Sequence, residues 1–186
     1  MHRRGMAWSL LAPSVVIAAP APSFAVDYLT TEQALAEAFP EAQTFELRAV
    51  SLSPEQLGLL RQRLGEPVRK ASWTARIARK DSTALGVLVV DEVIGKSERI
   101  TYAVGINKNG AIRSVEILSY RESHGQEVRL PAWRRQFAGK TAASPLRVGE
   151  DIANISGATL SCSHVTAGVR QIVAVVEALR EAGELE

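Results

Sequence analysis

The stretch Asn154-Ile155-Ser156-Gly157-Ala158-Thr159-Leu160-Ser161 gathers small and hydroxyl-bearing residues directly ahead of a long apolar-periodic segment. At a helix start, unpaired backbone N–H groups and the positive end of the helix dipole attract anions, phosphate above all. Glycine adds close backbone approach and turn conformations that other residues avoid. The pattern reads as a cradle for phosphate or another anion, built from Ser156, Gly157, Ala158, Thr159, Leu160 and Ser161. An architectural reading uses the same residues: Ser161 or Ser163 caps the helix, and Gly157 makes the turn before it. Spacing alone leaves both open.

Few other groups compete for chemistry. Cys162 is the single cysteine, which excludes an intramolecular disulfide framework and a cysteine-cluster zinc or iron–sulfur site. There are three histidines, His2 among them, so no histidine-rich metal centre is expected. His164 and Arg170 could neutralise a phosphate at that helix start and read equally well as solvated polar positions, while Lys140, after Gly139, reads more readily as solvated. Glu122, His124 and Glu127 sit close together in sequence and have the residue types of an acid–base cluster.

The elements that must position these residues follow from periodicity. Thr30 or Thr31 starts a short helix over TTEQALAEAF, with Gln33 at capping-box spacing from Thr30 and Pro40 ending it. Phe45, Leu47 and Ala49 alternate with polar residues. Ser53-Pro54-Glu55-Gln56 opens a second helix, stopped by Gly65, with Leu57, Leu60 and Leu64 inward. From Ala71 the period becomes two, through SWTARIA, ALGVLVVDEVIG, RITYAVGINKNG and AIRSVEILSY, which predicts an antiparallel meander with a tight turn at Asn107–Gly110. Ile100, Tyr102, Val104 and Ile106 share one buried face. A helical patch around Trp133 to Phe137 and a loop with Gly139, Pro145 and Gly149 lead to the last helix. There Val165, Val169, Ile172, Val173, Val176 and Leu179 form one apolar stripe, and Gly183 ends it. The fold class expected is α+β, an antiparallel sheet of four to six strands flanked by helices.

Composition fits that class. The 186 residues are 46% hydrophobic and 23% charged, enough for a packed core. The formal charge of +2 is carried by Arg3 and Arg4, leaving the body neutral, so nucleic acid is not an expected partner. Those two arginines, the uncharged run from Gly5 to Val26 and the small residues of Ser23-Phe24-Ala25 have the order of a secretory leader. The expected organisation is a signal peptide over residues 1–25 and one domain over 26–186, in the periplasm or otherwise exported. Anchoring by an uncleaved leader is the alternative, and Pro13, Pro20 and Pro22 argue against a spanning helix.

Ser156-Gly157-Ala158-Thr159, followed by Leu160-Ser161, resembles the motif of the FMN-binding domain family, found in the covalent-flavin subunits of sodium-pumping NADH:quinone reductase and Rnf-type complexes. The resemblance spans roughly residues 84–180, including the strands from Ile100 to Tyr120, Glu122-Ser123-His124-Gly125 and Gln136-Phe137-Ala138-Gly139-Lys140. It implies FMN esterified through its phosphate to Thr159 by a separate FAD:protein FMN transferase. It also implies redox partner proteins or a membrane electron-transport complex, and cofactor-lining roles for Glu122 and His124. Among Trp73, Tyr102, Tyr120 and Trp133, the last is the best placed to stack on the flavin ring. The chain departs from the family pattern at Ala153, where an aspartate is usual six positions before the threonine; Asp151 lies two residues upstream and Asn154 beside it. The function implied is an exported electron-transfer flavoprotein rather than a substrate-converting enzyme. Non-covalent FMN binding and a cofactor-free accessory module are the alternatives.

Overall fold

The computed structural model describes residues 26–185, and the candidate leader lies outside the described residues. In chain order the elements are β1 (Val26–Asp27), α1 (Thr31–Ala38), β2 (Thr44–Ser51), α2 (Pro54–Leu64), β3 (Ser72–Lys80), β4 (Thr83–Ile94), β5 (Arg99–Asn107), β6 (Ile112–Tyr120), α3 (Pro131–Arg134) and α4 (Thr159–Glu181). Short 3-10 turns over Gln126–Arg129 and Arg135–Phe137 flank α3. The strands form one antiparallel sheet in the order β1-β6-β5-β4-β3-β2. The expected meander is β2 to β6, and β1 adds a strand beside β6, Val26 opposite Tyr120.

Each face of the sheet has its own cover. Ile100, Tyr102, Val104 and Ile106 on β5 point to the face packed by α4 and α2, where Val165, Val169, Ile172, Val173, Val176 and Leu179 complete the larger core. On the other face Ala78, Leu88, Ala103 and Leu118 meet Ala34, Leu35, Ala38 and Phe39 of α1. Both amino-terminal helices carry the expected capping boxes, Thr30 with Gln33 and Ser53 with Gln56.

Burial qualifies the β2 alternation and changes one expectation on α2. Phe45 and Leu47 are 40% and 68% exposed, because β2 is an edge strand and α1, eight residues long, does not reach across to it. The alternation there marks a strand but not a core. On α2, Leu60 and Leu64 are buried while Leu57 is only half-buried against the core. No helix among the described residues is long and apolar enough to cross a membrane.

Candidate functional site

Helix α4 begins at Thr159 itself, so the last residues of the small-residue stretch are its first turn rather than a loop before it. Its N-cap is Ala158, whose side chain offers no acceptor. Neither Ser161 nor Ser163 caps the helix: Ser161 lies inside the first turn, 4% exposed, and its Oγ is 3.0 Å from the Tyr120 hydroxyl. The contrast with α1 and α2 removes the serine-cap reading. Those short helices satisfy their first amides with side chains, whereas α4, 23 residues long, leaves its positive end to whatever lies in front of it.

The segment entering that turn is pinned from both sides. The Trp133 indole N–H donates to the Ala153 carbonyl at 2.8 Å, and the Ala153 N–H donates to Gln136 Oε1 at 2.7 Å. Asp151 faces away from Thr159: it accepts from the Leu146 and Arg147 amides and pairs with Lys140 at 2.8 Å. Burial pushes the Asp151 carboxyl up, but the Lys140 ammonium and those two amides outweigh it and hold the carboxyl below its ordinary range. The task it performs is local, since Leu146 is buried at φ +47, a conformation that disfavours any residue with a β-carbon. After Asp151 and Ala153 are committed, Asn154 reaches forward and its Nδ2 donates to Thr159 Oγ1 at 3.1 Å.

In front of the helix lies an open cleft of about 460 Å³ lined by Lys96, Ser97, Glu122, Ser123, His124, Gly157, Ala158, Thr159, Leu160 and Ser161. Most of the expected site residues therefore converge, although Glu122 and His124 lie more than thirty positions before the motif. Glu122 Oε1 accepts from the amides of Ser97 at 2.6 Å and Glu98 at 2.9 Å, and so secures the β4–β5 turn along one wall. Burial raises its carboxyl, and the amides of Glu98, Ser97 and Lys96 together overcome that and keep it below the ordinary range. His124 is exposed, with Nδ1 2.8 Å from Ser123 Oγ. Tyr120 donates to the His124 carbonyl at 2.5 Å while its oxygen meets Ser161, so one phenol joins the end of β6 to the first turn of α4. Gly125, at φ +85, lies where a Cβ would stand 2.7 Å from the Tyr120 oxygen and 3.0 Å from Ala158 Cβ.

Other candidates sit elsewhere. Trp133 is 4% exposed, packs edge-on against Phe137 at 5.1 Å and does not line the cleft; its part is to hold Ala153. Trp73, Tyr102 and Tyr120 are core residues. Lys140 is committed to Asp151 and Arg170 to Glu66. His164 Nδ1 lies 2.6 Å from the Ile94 carbonyl and 3.1 Å from that of Gly95, on the neighbouring face of α4. Cys162 is fully buried, and burial pushes its thiol up, which suits a packed side chain rather than a redox group. Glu127 is exposed and outside the cleft lining. Ser156 is exposed beside the lining residues. Sequence reasoning missed Lys96 and Ser97, which the β4–β5 turn delivers from some sixty residues away.

Residues 95–174 match the FMN-binding domain family. Those residues form an FMN-binding domain. The match takes in β5, β6, α3, the pinned loop and most of α4, and assigns FMN as cofactor. Among solved structures, the fold is similar to that of NqrC from Shewanella oneidensis at 13% identity and a TM-score of 0.55, covering 86% of this chain and 92% of that one. A component of the Na(+)-translocating NADH-quinone reductase from Parabacteroides distasonis is similar at 14% identity and a TM-score of 0.48, covering 84% of this chain and 85% of that one. No curated protein matches the chain. The site fits the cofactor, because the uncapped α4 terminus, with its unpaired first-turn amides, faces an open cleft, as a phosphate requires.

Proposed function

We propose that this chain is an exported flavoprotein electron carrier whose FMN is joined by a phosphoester to Thr159. The observation that carries the reading is the exposed Thr159 hydroxyl at the first position of an uncapped 23-residue helix, opening on the cleft. In the attachment step an FAD:protein FMN transferase presents FAD. The Thr159 oxygen bonds to the FMN-side phosphorus, the bond to the AMP phosphate breaks, AMP leaves, and the hydroxyl proton passes to a base of the transferase. A threonine hydroxyl is too weak a nucleophile to react unaided at neutral pH, which is why a separate enzyme is required.

When bound, FMN supplies the electron-transfer chemistry. The chain's own residues hold it: the α4 dipole and first-turn amides favour the phosphate charge, and Lys96 adds a cation across the cleft. Glu122 keeps the β4–β5 turn in place as a wall. The Arg3-Arg4 pair, the apolar run and Ser23-Phe24-Ala25 support export, with the mature chain beginning at Val26. Covalent attachment suits that setting, since a lost cofactor is not easily replaced outside the cytoplasm. The partners proposed here are protein electron donors and acceptors of a membrane electron-transport assembly, as the resemblance to the NADH:quinone reductase and Rnf-type subunits implies.

The test is Thr159→Val in chain exported alongside the transferase. The valine keeps the shape and removes the oxygen, so intact mass should lose the FMN increment and the flavin-fluorescent band on a denaturing gel should vanish. Retention of covalent flavin by Thr159→Val would place attachment elsewhere. Ala153, at the position where the family pattern has aspartate, favours non-covalent binding as the second reading. Its sign is a dark band with yellow supernatant from the parent chain, and a colourless parent would support the accessory-module alternative.

A further inference from the structure

A threonine at the first position of a helix has two accessible χ1 rotamers, and an exposed hydroxyl rotates freely about its own bond. Thr159 is exposed, yet Asn154 Nδ2 donates to its Oγ1 at 3.1 Å. That contact uses one lone pair of the oxygen, turns the hydroxyl proton away from the amide and favours one rotamer. The donor is itself aimed. Ala153, the preceding residue, is fixed at its carbonyl by the Trp133 indole and at its amide by Gln136. The nearby carboxylate of Asp151 is taken by the Leu146 and Arg147 amides and by Lys140, which leaves Asn154 as the loop side chain that meets the reacting oxygen.

Resting on the attachment reading above, we infer that Asn154 is the positioning residue for flavin transfer to Thr159. Its amide holds the hydroxyl in one rotamer and stabilises the oxygen as the proton leaves and the bond to phosphorus forms. A hydrogen-bond donor aimed at an atom on which negative charge develops lowers the barrier to the step, not merely the cost of binding. The effect of Asn154 therefore belongs in the turnover of the transferase on this chain, not in their encounter.

The experiment compares the whole parent chain with Asn154→Ala and Asn154→Asp, using FAD, the transferase and intact-mass time courses over a range of chain concentrations. Three-bond couplings to the Thr159 methyl carbon, measured on the unmodified chains, report χ1 independently of the reaction. Asn154→Ala should slow kcat by about tenfold or more with KM unchanged, and its couplings should average while the parent's show one rotamer. Asn154→Asp should also lose about tenfold or more while its couplings still show one rotamer, because a carboxylate there accepts from the hydroxyl but offers no donor to the oxygen and repels the charge developing on it. Parental kcat in Asn154→Ala, a change in KM alone, averaged couplings in the parent, or an Asp variant as fast as the parent would each overturn the inference while leaving attachment intact. A parent chain that takes no covalent flavin overturns the attachment reading, and this inference with it.

Discussion

Gly125 and Tyr120 bring Glu122 and His124 to a motif more than thirty residues away, and they do it through one phenol and one missing β-carbon. The Tyr120 hydroxyl has the His124 carbonyl on one side and buried Ser161 on the other, and Gly125 leaves the space in which Ala158 approaches. Gly125→Ala adds both a left-handed backbone strain and a contact of 2.7 Å with the phenol oxygen. It should lower unfolding free energy by about 1–3 kcal/mol, read as a fall in the urea midpoint at unchanged slope. A neutral result would mean that the Tyr120 end of the cleft yields easily. Gly157 differs: it is also at positive φ, +84, but a Cβ there meets nothing within 4 Å of the protein. Gly157→Val meets no neighbour but strains a left-handed backbone that valine rarely adopts, so it should lower the urea midpoint and, in chain that stays folded, abolish flavin occupancy, since the added side chain projects at a lip of the cleft. Full occupancy in a folded Gly157→Val chain would remove the cradle from the reading.

At the level of elements, the β4–β5 turn depends on an ionised carboxylate that does not belong to it. The Glu122 carboxyl lies below its ordinary value of 4.5 in the folded chain, so its contribution is present above that value and is lost as pH falls through the folded value. Asp151, held below 3.8 in the same manner, adds a second acid-sensitive clamp on the loop that carries Ala153 and Asn154. Glu122→Gln should flatten the acid side of a thermal-midpoint profile taken from pH 7 to 3, with Asp151 accounting for part of the slope that remains. An unchanged slope would remove Glu122 from the acid response. These clamps also mark what the sequence makes legible. Capping boxes, the period-two meander and the α4 stripe are local signals, and each element appears where they predict. The motif is local too, so its place at the head of α4 is readable. The pairing of Ser97 with Glu122 and of Gln136 with Ala153 joins distant segments through single hydrogen bonds, which leave no periodic trace. Trp133 shows the limit most clearly, because its residue type fits ring stacking equally well and only its indole hydrogen bond reveals an anchor.

Across the whole molecule, α4 carries Thr159 at one end and is clamped to the sheet at its middle, so the attitude of the helix determines where the hydroxyl stands. At the clamp, Gly168 lies directly over Tyr102, whose hydroxyl is 3.2 Å from both Asp91 Oδ2 and Arg69 Nη2; Asp91 also pairs with Lys70, and Gln171 Oε1 accepts from the Arg69 amide. Burial and the Asp91 charge push the Tyr102 hydroxyl well above its ordinary range, so it stays neutral and keeps donating. Two effects oppose each other in Gly168→Ala. Alanine gains about 1 kcal/mol of helix propensity over glycine, but its Cβ would overlap the Tyr102 hydroxyl and stand 2.9 Å from Cζ and 3.0 Å from Arg69 Nη2. Tyr102 cannot swing aside, being fully buried and bonded on both sides, so the helix must lift, and overpacking of this kind costs about 1–3 kcal/mol. The overlap should win: the denaturant midpoint of Gly168→Ala should fall despite the better helix former, and covalent flavin yield should fall with it because Thr159 moves with the lifted helix. A rise in midpoint would show that propensity dominates and that α4 does not rest on Tyr102 through this glycine. A fall in midpoint with full flavin yield would show that the middle of the helix and its reactive end move independently.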